Sequence, residues 1–500
     1  MKNLRETLED VRAADKRILV VGLGISGIES ARFLSRRGLK VTVVEKSSES
    51  DFHAHSKFSS ELAGIQSLGV EVVFGVDGEQ VGPHLTHIAL AVLSPGVPLE
   101  SAIVGTLRRH RIPYVAELEL GIELHHGQSL VVTGSNGKST TSSLIDHILR
   151  RGGLRSYLCG NIGVPVISNE ELLRELQSER SLLVVEASSY QLEACAFLKP
   201  HVSVVLNISE NHLERHGSLD RYAAAKARAL RAQAVEDLAV MNADDPMVIN
   251  MSSTCRASKA VFGTARETEL AKLSSTWAHI SYLNSTHGTI IVSRGGVIEE
   301  YPTEHVRLLG GHNRYNMAAA ILVARHMGVT PEVVRSGLES FLPLEHRLEV
   351  LHNFGGQTII NDSKSTTVAA TVAALSTVLE HYPSSRIALM IGGLSKAGSW
   401  APLLSCISDH RSGGNLSVVC FGKDGALLAS HCRAAGIPHI VAPNLEEATN
   451  QALSMTAETG VALLSPGCAS FDEFRDFEHR GAAFKTFVQR RFSQEERTSL

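Results

Sequence analysis

The stretch VVTGSNGKSTTSSLI, Val131 to Ile145, constrains this chain more than any other. An apolar run breaks into a Gly-rich turn, and hydroxyl residues then open a helix. Strand, turn and helix in that order belong to a parallel α/β unit, and the amides at such a helix N-terminus favour an anion. Gly134 and Gly137 have no Cβ, so a ligand can approach the backbone there. Lys138 adds a cationic tip, and Ser139, Thr140 and Thr141 add hydroxyls. Phosphate is the anion that this set suits. The spacing is G-x-x-G-K-S. The common G-x-x-x-x-G-K-[ST] loop would need glycine at 132, where Val132 stands. The segment therefore reads as a nucleotide site of an unusual kind, and an ordinary capped turn is the plainer alternative.

A chain of 500 residues is too long for one hydrophobic core. A net charge of −4 argues against general affinity for nucleic acid or acidic lipid. The seven cysteines include no CxxC pair and read as reduced thiols. The charged opening MKNLRETLEDVRAADKR is no signal peptide, and no apolar run reaches the length of a membrane span. A cytoplasmic location is expected, with neither nucleic acid nor membrane as partner.

Three α/β units follow one another. RILVVGLGISGIESARFLSRRGLKVTVVEKS carries Gly22, Gly24 and Gly27 as G-x-G-x-x-G between two short apolar runs, with Glu45 about 20 residues on. Alone, this fingerprint predicts an NAD enzyme. The second unit opens with the phosphate loop. LLVVEASSYQLE and VSVVLNISENHLERHG then place Glu186, Ser188, Asn207, Glu210 and His212 just past strand ends, where ligands sit in parallel sheets. The Ser/Thr-rich, alternating stretch from about 250 to 305 reads as a small antiparallel insertion. GGHNRYNMAAAILVARHMG reads as an amphipathic helix. In the third unit Asp362, Lys364 and Thr366 lie in NDSKST after a strand, and Lys396 follows a Gly-Gly turn. A lysine flanked by hydroxyls suits phosphate or carboxylate. Lys226, in DRYAAAKARAL, reads from spacing alone as a solvated helix lysine. The final SQEERTSL reads as a solvated tail.

With TGSNGKSTT, EASSYQLE, GGHNRYNMAAA, EHRLEV, NDSKST and SPGCASFDEFRDFEHRG in that order, the chain resembles the Mur ligases over nearly its whole length. That family adds amino acids to the peptidoglycan precursor with ATP, and its phosphate loop is shortened in the same way. The resemblance implies an α/β fold of three domains. They are a Rossmann-like domain over 1–115 that binds a UDP substrate, a central P-loop-like ATP domain with a parallel sheet over 116–340, and a Rossmann-like domain over 341–500 for the amino acid. Gly22, Ile25, Ser26, Glu45, Lys46, Asn161, Ser188 and Gln191 are then expected at the UDP substrate. Gly134, Ser135, Asn136, Gly137, Lys138, Ser139, Thr140, Asn313, Asn316, Arg347, Asp362 and Lys364 are expected at ATP. Thr366, Lys396, Ser470 and Phe477 are expected around the incoming amino acid.

Lys138, Glu186, His212 and Lys226 match catalytic positions of the family. Ser139, Glu186, His212 and Lys226, if carbamylated, match positions that hold Mg²⁺. The resemblance thus replaces the solvated reading of Lys226. Asn211 stands where the family often has Asp, so only His212 is carried over from that pair. The GLGISG opening and the last motif point to the branch that joins D-glutamate to UDP-N-acetylmuramoyl-L-alanine. A cytoplasmic monomer is expected. The rivals are a sister ligase using another amino acid such as L-glutamate, a folylpolyglutamate synthase, a non-catalytic nucleotide-binding scaffold and an NAD(P)-dependent oxidoreductase. The last leaves the second loop and both lysine loops unexplained.

Overall fold

Three sheets, each covered by helices, organise the chain. The computed structural model describes residues 4–56, 58–125, 127–168, 181–282, 288–354, 356–395, 398–410, 415–456 and 459–498. The first sheet contains β1 (Arg17–Val21), β2 (Lys40–Val44), β3 (Glu71–Val73), β4 (Ile88–Leu93) and β5 (Tyr114–Ala116). Its order is β3-β2-β1-β4-β5 and every pairing is parallel. The order reverses at β1, so the Gly22 turn lies where two crossovers part and leave a crevice.

The second sheet contains β6 (Gln128–Thr133), β7 (Arg155–Gly160), β8 (Ser181–Glu186), β9 (Val202–Val205), β10 (Leu238–Asn242), β11 (Ser258–Gly263), β12 (Thr276–Tyr282), β13 (Gly288–Arg294) and β14 (Val297–Pro302). Its order is β14-β13-β12-β11-β10-β9-β6-β8-β7. β6 lies between β8 and β9, and the phosphate loop leaves its C-terminal end. β8 and β9 are buried at every position, as strands with helices on both faces must be.

The stretch near 250–305 departs from the sequence expectation. Among the described residues β11 and β12 are parallel continuations of the main sheet, while β13 and β14 pair antiparallel. Alternating polarity identifies half-buried strands but not the direction of their partners.

The third sheet contains β15 (Glu349–Phe354), β16 (Gln357–Asn361), β17 (Ile387–Gly392), β18 (Leu416–Phe421), β19 (His439–Val441) and β20 (Val461–Gly467), in the order β15-β16-β20-β17-β18-β19. Only β15 runs antiparallel to its neighbour. A closing helix, Phe477–Thr498, runs through most of the segment read as a tail. The chain forms two compact units. One comprises Met1–Ser281, Thr289–Pro302 and Arg314–Glu339; the other comprises Tyr282–Gly288, Thr303–Asn313 and Ser340–Leu500.

Within the first unit the opening segment is packed. The helix Leu4–Ala13 buries Leu8 and Val11, and Arg5 donates to the carbonyls of Glu123 and His125 at 3.0 and 2.9 Å. The helix Glu117–Leu124 carries Glu117, which is 1% exposed. Its Oε1 accepts from the Ile167 amide at 3.0 Å, while Oε2 has no partner. Burial pushes this carboxyl from its usual 4.5 up to about 7. The folded state therefore binds the proton more tightly than the unfolded chain does. The resulting stability is complete below pH 4.5 and is lost as pH rises through about 7. Glu117→Gln keeps an acceptor for Ile167 and removes the charge. It should be near neutral at pH 5 and stabilise by about 1–3 kcal/mol at pH 8. Thermal midpoints of both proteins at the two pH values check this, and a difference that does not widen with pH rejects it.

Candidate functional site

At the end of β1 the chain turns through Gly22, whose φ is 92°. A Cβ on Gly27 would lie 1.9 Å from the Gly22 carbonyl oxygen, so only glycine lets the helix Ile25–Arg36 start this close to the strand. Glu45, just past β2, holds the turn. Its two oxygens accept from the amides of Leu23 at 2.8 Å and Ser47 at 3.0 Å. Ser26 is buried, Ile25 is exposed, and Lys46 pairs with Asp77 at 3.0 Å on the surface. Across the turn, Ser94 Oγ donates to the Gly22 carbonyl at 3.1 Å.

The phosphate loop is braced from below. Gly134 and Gly137 have φ of 153° and 85°. Ser135 and Asn136 donate their amides to the carbonyl and the side-chain oxygen of Asn207, each at 2.8 Å. Asn316 is 3% exposed, and its side-chain oxygen accepts from Thr141 at 3.1 Å. A Cβ on Gly137 would lie 2.3 Å from that oxygen. Ser139 and Thr140 are buried in the first turn of the helix Lys138–Arg151. Lys138 folds over its own loop and donates to the Gly134 and Ser135 carbonyls, both at 3.0 Å.

Two charged groups are buried beside this loop. Glu186 ends β8 at 2% exposure. Its Oε1 accepts from Asn161 Nδ2 at 2.6 Å, and its Oε2 is buried without a partner. Lys226, on the helix Leu219–Arg231, is 1% exposed, which rules out the solvated reading that spacing alone favours. Its Nζ donates to the Gly134 carbonyl at 2.8 Å and lies 4.6 Å from the centre of the Tyr222 ring. Burial, reinforced by the nearby Lys138 cation and opposed by Glu186, pulls this amine down to about 6. His212 takes a left-handed conformation with φ of 54°. Its side chain is half-exposed, and Nδ1 lies 3.1 Å from Tyr190 Oη.

A cavity of about 1100 Å³ joins these parts. It runs from Gly22, Ile25, Ser26, Glu45 and Lys46 to Lys138 and Lys226, past Asn161, Ser188, Gln191 and His212. Ser188 and Gln191 also form a capping box: Gln191 N donates to Ser188 Oγ at 3.3 Å, and Ser188 N donates to Gln191 Oε1 at 3.0 Å. Tyr190 and Tyr222 line the cavity as well, yet neither stands out in the sequence, since an aromatic after a strand most often reads as core. The unpartnered Glu186 oxygen, on the strand beside the one that leads into the phosphate loop, suits a hard cation with oxygen ligands. Among the described residues no three His, Cys, Asp or Glu side chains cluster as a metal site.

The second unit is described by itself. Asp362 is buried at the end of β16 and accepts from Ser365 Oγ at 2.5 Å, Ser465 Oγ at 2.8 Å and the Leu348 amide at 3.2 Å. Burial pushes its carboxyl up to about 6. Lys364 Nζ lies 5.5 Å from the centre of the Phe477 ring, and Thr366 and Arg347 are half-buried nearby in sequence. Asn313 is buried and donates to the Leu309 carbonyl at 2.6 Å. Ser470 is buried, and its carbonyl caps the turn through Phe474 N at 2.9 Å. Arg480, unmarked in the sequence reading, is 1% exposed. It donates to the Ser363 hydroxyl and carbonyl and to the Cys468 carbonyl, so it ties NDSKST to SPGCAS. Lys396 lies outside the described residues.

Two nucleotide-type turns on parallel sheets, one of them a shortened phosphate loop, define an α/β nucleotide-binding enzyme fold. Residues 16–116 match the Mur ligase MurD-like N-terminal domain, 132–324 the Mur ligase middle domain, and 346–468 the Mur ligase glutamate ligase domain. A protein of Koribacter versatilis named UDP-N-acetylmuramoylalanine--D-glutamate ligase is 34% identical over 495 residues, covering 98% of this chain and 100% of that one. A protein of the same name from Acidobacterium capsulatum is 35% identical over 476 residues, covering 95% and 96%. Among solved structures, MurF from Acinetobacter baumannii shares the fold with a TM-score of 0.61 at 16% identity, covering 97% of this chain and 98% of that one. MurC from Thermotoga maritima does so at 0.56 and 18%, covering 97% and 100%. The chain belongs to the Mur ligase family and is an ATP-dependent ligase. Among the described residues no helix is long and apolar enough to cross a membrane.

Proposed function

We propose that this chain joins D-glutamate to the alanyl carboxylate of UDP-N-acetylmuramoyl-L-alanine at the expense of ATP, in peptidoglycan precursor synthesis. The observation that carries this reading is the single cavity leading from the Gly22 turn to Lys138 and Lys226. A long substrate with its nucleotide at one end and its carboxylate at the other fits such a path. An oxidoreductase would need a hydride acceptor at the Gly22 turn and has no use for a second phosphate loop. Residues 1–115 then serve the UDP substrate, 116–340 ATP and 341–500 the amino acid. The protein is taken to act in the cytoplasm as a monomer, with neither nucleic acid nor membrane as partner.

The chemistry follows from charge and proximity. A substrate carboxylate oxygen attacks the γ-phosphorus of ATP, the bond to ADP breaks, and an acyl phosphate forms. The amine of the amino acid attacks the acyl carbon, phosphate leaves, and the nitrogen gives up a proton. The amides at the N-terminus of the helix Lys138–Arg151 and the Lys138 ammonium face the phosphates and stabilise charge as it develops. Asn316 and Asn207 hold that loop in shape. Asn313, Arg347, Asp362 and Lys364 are assigned to ATP by their match to the family. Mg²⁺ would be held by Ser139 and Glu186, and at a second position by His212 and a carbamylated Lys226. When bound it offsets the repulsion among clustered anions. Thr366, Lys396, Ser470 and Phe477 form the amino-acid end.

The test follows ADP and phosphate release with UDP-N-acetylmuramoyl-L-alanine as acceptor and a panel of amino acids. D-Glutamate should be used at least tenfold better than L-glutamate. The wrong enantiomer leaves a buried polar group unpaired, at about 1–3 kcal/mol each. Equal use of L-glutamate rejects the D-glutamate assignment and leaves the ligase reading standing. Saturable NADH binding by calorimetry would restore the oxidoreductase.

A further inference from the structure

Behind the cavity wall between the Gly22 turn and His212 lies a cation, Arg215, whose partners are themselves wall residues. Arg215 stands three residues after His212, and its side chain is 12% exposed. Its Nη1 donates to the Gly96 carbonyl at 3.2 Å, and its Nη2 donates to the Val97 carbonyl at 2.9 Å and the Pro95 carbonyl at 3.4 Å. Three consecutive carbonyls of one turn thus converge on one guanidinium. On its other edge Nε donates to Glu193 Oε1 at 3.0 Å, and Nη2 also pairs with that oxygen. Its Cζ lies 4.9 Å from the centre of the Tyr190 ring, and Tyr190 Oη is the group that meets His212 Nδ1.

The turn that Arg215 grips is itself cavity wall. Ser94, Pro95, Gly96, Val97 and Pro98 all line the cavity, and Ser94 is hydrogen-bonded to Gly22. The other end of the network is wall too, through Tyr190 and His212. Arg215 therefore joins the side of the cavity built after β4 to the side built after β9. Only a planar fork with five donors can satisfy carbonyls and a carboxylate on opposite edges at once. A lysine at 215 would keep the charge as a single point and lose the span.

We infer that Arg215 is a positioning residue that sets the affinity for the nucleotide-sugar substrate by clamping the Pro95–Val97 turn to the Tyr190 side of the cavity, with Glu193 holding the guanidinium from behind. This rests on the cavity being the UDP-substrate site. Arg215 touches neither the phosphate loop nor Lys226, so ATP affinity is independent of it.

The experiment compares wild type with Arg215→Lys and Glu193→Gln in the full-length enzyme. Calorimetry reads binding of UDP-N-acetylmuramoyl-L-alanine, and steady-state assays give KM for that substrate and for ATP. Arg215→Lys should raise Kd and KM for the UDP substrate roughly tenfold, the effect of losing one or two directional contacts, and leave KM for ATP within about twofold. Glu193→Gln keeps the shape of the pair and should shift the same constants in the same direction by a smaller factor. Unchanged binding of the UDP substrate in Arg215→Lys overturns the inference alone. So does a parallel rise of both KM values with a lowered thermal midpoint, which marks a merely structural role. A wild-type protein that does not bind the UDP substrate overturns the functional reading and this inference with it.

Discussion

Replacing Lys138 by alanine should lower the rate of ATP-dependent ligation by roughly three orders of magnitude while the protein stays folded. A unit charge about 4 Å from a phosphoryl oxygen in a partly dry site contributes on the order of 4 kcal/mol, which is about a thousandfold in rate. The side chain is half-buried and donates to carbonyls of its own loop, Gly134 and Ser135. Little packing is therefore lost with it. A second effect acts in the same direction. Burial first and the Lys138 cation second hold the Lys226 amine below its ordinary range, so removing Lys138 shifts Lys226 toward its protonated form. Burst and steady-state ADP release, with thermal midpoint and UDP-substrate binding as controls for folding, measure the loss. Turnover within tenfold of wild type would remove the phosphate-transfer role from this loop.

What could be read in the sequence is what local chemistry determines. Gly22, Gly27, Gly134 and Gly137 are demanded by positive φ or by contacts of a few ångström within one strand-turn-helix unit, so their spacing alone announces the turns. Glu186 is announced in the same way, as a carboxylate at the end of an apolar strand. Lys226 is not. Its helix is ordinary, and the burial that changes its chemistry arises only when that helix packs beside β6 and the Gly134 carbonyl comes within 2.8 Å of Nζ. Arg215 was invisible for a related reason, since its partners at 95–97 lie over a hundred residues away. Ser188 and Gln191 carry a signal with two meanings. S-x-x-Q after a strand is a capping box as well as a pair of cavity-facing polar groups, and the structure has both. Near 250–305 the alternating pattern predicted strands, and antiparallel pairing holds for β13–β14 but not for β11 and β12, because period-two polarity is blind to strand direction.

Lys226→Ala should also abolish most activity, and a short carboxylate such as acetate should restore part of it. A buried ammonium whose nearest cation is Lys138 is costly, and burial first and that cation second bring its pKa down to about 6. Near neutral pH the amine therefore carries a lone pair in a water-poor site. It can add to the carbon of CO₂, lose a proton and become a carbamate. That converts a neutral amine into an anion on the cavity wall shared with His212. The carbamate then adds an oxygen ligand to a site where, among the described residues, no three His, Cys, Asp or Glu side chains cluster. Alanine leaves a space at the end of the Tyr222 ring that a small carboxylate can enter, supplying the oxygens without the covalent link. The expected fall is on the order of a hundredfold or more, in line with the loss of a group that stabilises developing charge. Acetate should recover activity in Lys226→Ala in a saturable way and leave wild type unaffected, whereas a neutral isostere such as acetamide should recover none. Full activity in Lys226→Ala, or equal rescue by acetamide, would return Lys226 to a structural role in bracing the Gly134 carbonyl.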